Sequence, residues 1–324
     1  MCQKSFSFFG KEVDLREARL RLEKETKVNE KNYYSRLDTF IRKNYPEIKL
    51  GAIYSLIRKG FVKVNEKRVK KNNYILEIGD NVKIILDENK LEELSRPTQP
   101  SLKARPVSFD IIYEDKDLLV INKPAKVSVH PGSKEEMATI IEGVMHYSRG
   151  EFEPHLVHRL DKLTSGVMVV AKNKQTAREL TQLIKSRETR KYYLTLLVGN
   201  LNKKSGELVS TVYGKTAQLK FNLKNKFDLF GELYSLVEIE LYTGRKHQIR
   251  VQFADLGFPI AGDDNHGDKK RNKLLRKNYG LKRIFLHASK ISFDYNNKHY
   301  DFYAPLSEDL QTVLDKLEKS PKRN

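Results

Sequence analysis

The sequence has 324 residues, with 61 Lys+Arg against 42 Asp+Glu and a formal charge of +19. That length admits two domains, or a catalytic domain with an accessory module, and the charge points to a polyanionic partner. An anionic membrane is the weaker reading, because the chain has neither a long apolar stretch nor a strongly amphipathic basic helix. The single cysteine, Cys2, excludes an intrachain disulfide and a Cys-built zinc site and fits a reducing compartment. MCQKSFSFFG lacks an apolar run long enough for a signal peptide, so a cytoplasmic protein is expected.

Residues 1–34 read as an N-terminal extension and 35–87 as a compact α/β unit. Leu37, Phe40 and Ile41 stand at helical spacing up to Pro46, and Ile53, Leu56 and Ile57 predict a second helix ending at Gly60. FVKVN alternates as a strand, with a turn at Asn65-Glu66. Arg58, Lys59, Lys67 and Arg68 belong to a cation-rich face with few acids. A charge run is often only a solvated surface, but this clustering favours phosphate contact.

Residues 88–106 carry Pro97, Pro100 and Pro106 without periodicity and read as a semi-rigid linker. The remainder, 107–317, is dominated by strands such as DLLVINK, VMVVAK and YYLTLLVG, with helices between them, including one over 174–186. This pattern predicts an α+β domain with a mixed or antiparallel sheet, followed by a disordered tail at 318–324.

Four stretches carry candidate chemistry. HRLDKLTSG (158–166) is a polar knot between two apolar strands, in which Asp161 is either a turn cap or a functional carboxylate. Arg159 stands two residues earlier and can project with it, as a site pair or as an ordinary surface ion pair. His155, His158 and Asp161 invite a metal reading, but positions three apart in an extended segment face opposite ways, and no compact acidic cluster completes a ligand set. In LYTGRKHQIR, Arg245 falls at a strand-to-helix corner, free for substrate or paired with a carboxylate, Asp161 among the candidates. RKYYLTLLVG points two tyrosines to opposite faces, so one faces inward, as core or as a base-stacking platform. The basic run GDKKRNKLLRKNYGLKR contains Lys269, Lys270 and Arg271.

Taken in order, these pieces resemble the RluA-type RNA pseudouridine synthases: IIYEDKDLLVINKPAKVSVHPG, HLVHRLDKLTSGVMVVAKN, KYYLTLLVG, LYTGRKHQIRVQF and the GDDNHGD…RIFLHASKISF…FYAPL series. The combination of HRLD…TSG with TGR.HQIR is very specific, and the match spans nearly all of 107–305. The 35–87 unit resembles the S-four type of RNA-binding module. The resemblance implies a monomer that isomerises uridine in RNA, most of all large-subunit ribosomal RNA, without metal or cosubstrate. It implies that Asp161 is the essential carboxylate, that Arg159 fills the gap left by a flipped uridine, that Tyr193 lies against the uracil and that Arg245 pairs with the aspartate. It makes Arg58, Lys59, Lys67, Arg68, Lys269, Lys270 and Arg271 candidate RNA contacts. Two departures stand out: Lys126 where the family usually has Gly, and His266 where it usually has Tyr. A catalytically dead RNA-binding factor and a metal-dependent nuclease are the rival readings.

Overall fold

The structure is a computed structural model, and it describes residues 21–87 (except 47 and 49), 102–131, 137–229 and 231–319. These residues form two compact units, divided between Leu102 and Lys103. Among them no helix is long and apolar enough to cross a membrane.

The N-terminal unit packs helices α1 (Leu37–Asn44) and α2 (Leu50–Lys59) on a four-stranded antiparallel sheet. Its strands are β1 (Arg21–Lys27), β2 (Val62–Val64), β3 (Lys67–Arg68) and β4 (Asn81–Asp87), in the order β1-β4-β2-β3. Leu37, Phe40, Ile41, Ile53, Leu56 and Ile57 are fully buried against Val62, Val64, Val82 and Ile84. Each such side chain withdrawn from water stabilises the unit by roughly 1.5–3 kcal/mol before conformational entropy is counted. Asn65 and Glu66 both take positive φ, 49° and 62°, the backbone that a two-residue hairpin turn requires between β2 and β3. Strand β1 pairs along the whole of β4, so the sheet draws in residues expected to be an N-terminal extension. The β1 sequence, RLEKETK, is mostly charged, and nothing in its own periodicity announces a strand.

The C-terminal unit carries ten sheet strands. In chain order they are β5 (Asp110–Glu114), β6 (Leu118–Lys123), β7 (His155–Leu156), β8 (Ser165–Ala171), β9 (Arg190–Val198), β10 (Ser205–Val212), β11 (Lys215–Leu229), β12 (Glu232–Leu241), β13 (Leu286–Tyr295) and β14 (Lys298–Tyr303). The main path runs β10-β11-β12-β9-β13-β8-β6-β5, with β14 on β13 and β7 on β8. Every pairing is antiparallel except β13 with β8. The sheet is therefore mixed, and the domain is α+β as expected. Five helices pack around it: α3 (Ile140–Ser148), α4 (Lys174–Lys185), α5 (Gln248–Asp255), α6 (Lys269–Tyr279) and α7 (Glu308–Glu318). Helix α4 matches the expected 174–186 helix and is capped by the Asn173 side chain, which accepts from Thr176 N–H at 2.9 Å.

Strand β9 divides two cores. Tyr193 and Leu197 face the cluster built by β6, β8 and α4, whereas Leu196 and Val198 face a second cluster under α6 and α7. That alternation decides which side chains of RKYYLTLLV reach the site.

Most of the expected linker, 88–101, and most of the expected tail, 320–324, lie outside the described residues. At its far end the linker is already part of the C-terminal unit, since Arg105 N–H donates to the Glu142 carbonyl at 3.2 Å. Glu318 closes helix α7 instead of opening a tail.

The parallel contact of β13 with β8 is short, His287 opposite Ser165 and Ala288 opposite Gly166. Gly166 takes φ +118°, and a Cβ there would stand deep inside the Ala288 carbonyl. The last residue of HRLDKLTSG is thus glycine for two independent reasons. Gly166→Ala should cost at least about 3 kcal/mol, combining backbone strain with overpacking; urea unfolding of the purified variant measures it.

Candidate active site

The polar knot lies over that seam. His158 turns inward and its Nε2 accepts the Val169 N–H at 2.9 Å, so the ring fastens the turn to β8 and has no lone pair left there for a metal. Burial first, and Lys191 second, push its pKa down to about 3. Among the described residues no cluster of His, Cys, Asp and Glu could hold a metal ion.

Arg283, 3% exposed, ties the turn to the C-terminal helix. Its Nη1 donates to the Leu163 carbonyl at 2.9 Å and its Nη2 to Ser165 Oγ at 2.9 Å and Ser307 Oγ at 2.7 Å. Nε and Nη2 also hold the Asp309 carboxylate at 2.7 and 3.0 Å. Lys123, with no exposed surface, braces the next loop by donating to the Pro124 and Val127 carbonyls at 2.6 and 2.8 Å. Burial, then the Arg283 charge, lower its pKa to about 7, and the Asp161 charge works the other way. The loop it braces holds Lys126 at φ +68°, a left-handed residue where glycine is the easy choice. The substituted lysine therefore keeps a glycine-type turn.

Asp161 presents its carboxylate from this framework with a quarter of the side chain exposed. The guanidinium beside it belongs to Arg250, with Nη1 3.5 Å from Oδ2. This corrects the expectation for Arg245, whose Nε donates instead to the Thr216 carbonyl at 3.0 Å. The reason is local. TGRKH forms a turn held by Gln248, whose Oε1 accepts from Thr243 Oγ1 at 2.7 Å and from Arg245 N–H at 3.1 Å. Arg245 is thereby carried to the turn's outer side, and Arg250, in the first turn of α5, points inward.

Arg250 is shared between two acids. It grips Asp263 with two hydrogen bonds, Nε to Oδ2 at 2.7 Å and Nη2 to Oδ1 at 2.9 Å, and keeps Nη1 for Asp161. Burial opposes its charge, but the Asp263 hydrogen bonds and the charges of Asp263 and Asp161 outweigh it and raise its pKa. Asp263 also feels burial first, yet Arg250 and the N–H groups of Asn265 and His266 hold its carboxyl below the usual range. His247 Nε2 stands 3.9 Å from Asp161 Oδ2. His266, the other departure from the family pattern, packs edge-on against His247 at 5.6 Å.

Asp161 lines a cavity of about 800 Å³ together with Arg159, Tyr193, Arg245 and Arg250, a size that accommodates a nucleotide. Tyr193 is 7% exposed, and burial, followed by the Asp161 charge, keeps its hydroxyl protonated far above neutral pH. Arg159 is exposed on the cavity wall. The structure thus brings Asp161, Arg159, Tyr193 and Arg245 to one cavity, while giving the aspartate a different arginine.

Of the expected RNA contacts, Arg58, Lys59, Lys67, Arg68, Lys269 and Lys270 are exposed. Arg271 is not free: its Nε and Nη2 hold the Glu232 carboxylate at 2.7 and 2.8 Å, joining α6 to β12. It braces α6 against β12 while its side chain stays partly exposed. Arg250, Asp263, Arg283 and Lys123 escaped the sequence reading. The second arginine of GRKHQIR is the one signal that could have found Arg250, since it repeats the residue type already suspected five positions earlier.

The comparisons with known proteins identify the family. The RNA pseudouridylate synthase family matches residues 117–255 and the S4 domain matches 35–82. The chain is 33% identical to the ribosomal large subunit pseudouridine synthase C of Vibrio cholerae, over 88% of this chain and 94% of that one. It is 34% identical to the protein of the same name from Escherichia coli K12, over 87% of this chain and 92% of that one. Among solved structures, the human RNA pseudouridylate synthase domain containing 4 superposes with a TM-score of 0.54 at 25% identity, covering 64% of this chain and 93% of that one. A base-isomerising active site on an α+β sheet, preceded by an S4 RNA-binding domain, is the class of enzyme these findings define. The chain belongs to the RluA-type RNA pseudouridine synthases and isomerises uridine in RNA.

Two expectations follow from the geometry. Arg250→Lys keeps the charge but loses the planar fork, so Asp263 and Asp161 cannot both be held; single-turnover rates should fall at least about 100-fold, which is roughly 2.7 kcal/mol of transition-state stabilisation. Arg245→Lys should cost much less, and equal losses in the two variants would contradict the assignment. The second concerns acid. Above pH 6.5 His158 is neutral in both folded and unfolded chains and its contribution to stability is complete. Below it the unfolded chain takes up a proton that the folded chain refuses until about pH 3, so stability falls across that window by up to about 1.4 kcal/mol per pH unit. His287, lowered to about 4 chiefly by burial, adds to the loss. His158→Gln retains an acceptor for Val169 N–H, so denaturation curves between pH 6.5 and 4 should flatten by about one proton.

Proposed function

We propose that this enzyme converts uridines of large-subunit ribosomal RNA, acting as a cytoplasmic monomer, with Asp161 as the group that attacks the glycosidic linkage. The observation that carries the reading is that, among the described residues lining the cavity, Asp161 is the one carboxylate. The reaction breaks the bond from ribose C1′ to uracil N1 and forms one from C1′ to C5. A proton leaves C5 and N1 gains one, so nothing is oxidised or reduced. A single carboxylate suffices, either as a nucleophile towards ribose or uracil or as a base at the sugar.

The neighbouring residues support these steps. Arg250 supplies a positive charge and a hydrogen bond that orient the Asp161 carboxylate. Tyr193 offers a flat, uncharged wall for the uracil during the interval when it is detached. Arg159, on the wall and exposed, is suited to fill the space a flipped uridine leaves in its helix. The names of the Vibrio and Escherichia relatives, which align over nearly their whole length, favour large-subunit ribosomal RNA as the substrate. The exposed cations at the end of α2 and on the β2–β3 hairpin, Arg58, Lys59, Lys67 and Arg68, give the S4 domain a phosphate-binding surface.

Pseudouridine mapping of ribosomal RNA from cells with and without the protein tests the substrate. Specific positions in the large-subunit RNA should lose the modification; unchanged large-subunit RNA with losses in transfer RNA would redirect it. For the chemistry, Asp161→Asn should abolish conversion, leaving RNA affinity within a few-fold. Measurable turnover by the purified variant would remove Asp161 from its role.

A further inference from the structure

The catalytic unit buries four cations: Lys123, Lys191, Arg250 and Arg283. Three have their partners inside the protein. Arg250 and Arg283 hold carboxylates, and Lys123 donates to two carbonyls within reach of the Asp161 charge. Lys191 is different. It is 8% exposed, and among the described residues it makes no hydrogen bond or ion pair through its ammonium. Burial alone acts on its pKa, lowering it, and no acid offsets the effect.

The position of this cation is informative. Lys191 and Tyr193 are two residues apart on β9 and both buried, so they enter from one face of the strand, ~7 Å apart along it. Both line the cavity that holds Asp161. The lysine Nζ comes up beside Gly244 in the TGRKH turn, where even a Cβ would stand 3.9 Å away. Lys185, Arg187 and Arg245 line the same cavity. The cavity is thus lined by several cations, and of the buried ones Lys191 has no carboxylate partner among the described residues.

A cation withdrawn from water without an anion costs several kcal/mol, and an anion arriving from outside recovers that cost as binding. In an enzyme that acts on RNA the incoming anion is a phosphodiester. The uracil carbonyls are neutral acceptors and supply no countercharge. Flipping carries the ribose and its two flanking phosphates towards the site together with the base. We propose that Lys191 binds a phosphate flanking the flipped uridine, fixing the sugar so that C1′ stands at Asp161 while the base lies on Tyr193. The assignment rests on the reading that the uridine enters the Asp161 cavity.

The test is a thermodynamic cycle between one side chain and one phosphate. The probe is a synthetic RNA stem-loop containing a uridine that the wild-type enzyme converts, prepared with a neutral methylphosphonate on either the 5′ or the 3′ side of that uridine. Lys191→Met on the unmodified RNA should lower kcat/KM at least tenfold. One of the two neutral linkages should lower wild-type kcat/KM comparably, and that linkage should cause no further loss in Lys191→Met. The slope of log K against log salt should fall by roughly 0.7–0.9 in the variant, the value of one phosphate contact. Lys191→Arg should recover part of the loss. The melting temperature of Lys191→Met should be unchanged or higher, because a costly buried charge has gone. Losses that multiply for both linkages, an unchanged salt slope or a lowered melting temperature with no phosphate coupling would each overturn the assignment and leave Lys191 structural. A wild-type enzyme that converts no uridine in any ribosomal RNA would overturn the proposed function first, a result distinct from active wild type with uncoupled losses.

Discussion

The site depends on the place where β8 meets β13 in parallel, with Gly166 pressed against the Ala288 carbonyl. Parallel neighbours cannot be joined by a tight turn, and here more than a hundred residues separate the two strands in sequence. The junction between them must be closed by side chains. Arg283 does so, hidden from solvent, with its guanidinium divided among the Leu163 carbonyl, two serine hydroxyls and Asp309. The HRLDKLTSG turn is therefore anchored on both flanks. His158 pins its start to β8, and Arg283 pins its end to the start of α7. A turn held at two points presents Asp161 with little freedom, and chemistry at a single carbon needs that rigidity.

Arg250 works by the same economy of groups. A guanidinium has five N–H donors in a fixed plane, and the buried Asp263 takes two of them, on Nε and Nη2 along one edge. What remains is one Nη1 aimed at Asp161 at a longer 3.5 Å. The short pair is structural and the long one is available for change. In the proposed role of Asp161, Arg250 can tighten or relax as the charge at that carboxylate changes, without losing its anchor. A lysine in this position has three donors on a single atom and no planar fork, so it cannot hold Asp263 by two parallel bonds and keep a separate nitrogen for Asp161.

Much of this was legible in the chain. Apolar periodicity announced both helices of the N-terminal unit, strands such as DLLVINK, VMVVAK and YYLTLLVG, and helix α4, because in each case burial on one face repeats at the period of the element. Motif order marked Asp161, Arg159 and Tyr193. The rest was hidden for identifiable reasons. Strand β1 is paired through its backbone, and RLEKETK has no apolar face to signal it. Arg245 and Arg250 are the same residue type within one motif, and what separates them is the turn that Gln248 builds, a tertiary event. Arg271 sat in a run of cations that looked uniformly solvated, yet Glu232, 39 residues away in sequence, had already claimed it. Lys126 looked like a departure that would change its loop; its positive φ keeps the turn, at a local cost that Lys123 is placed to absorb through the Pro124 and Val127 carbonyls.

The excess of positive charge over the chain acquires a finer meaning from these pairings. A formal charge of +19 describes attraction to RNA at a distance, but it does not separate cations that bind RNA from cations that hold the protein together. The structure divides them by their partners. Arg283, Arg250 and Arg271 are neutralised within the fold by Asp309, Asp263 and Glu232. Arg58, Lys59, Lys67 and Arg68 stay on the surface of their own unit, where water screens their charge. Lys191 belongs to neither group, being buried like the first and unneutralised like the second. Charge that is both desolvated and unmatched interacts most strongly with an arriving anion, because little solvent has to be displaced from it and little screening remains. The net charge brings RNA to the protein, and a cation of this third kind can distinguish one correctly flipped nucleotide from the many phosphates that merely pass by.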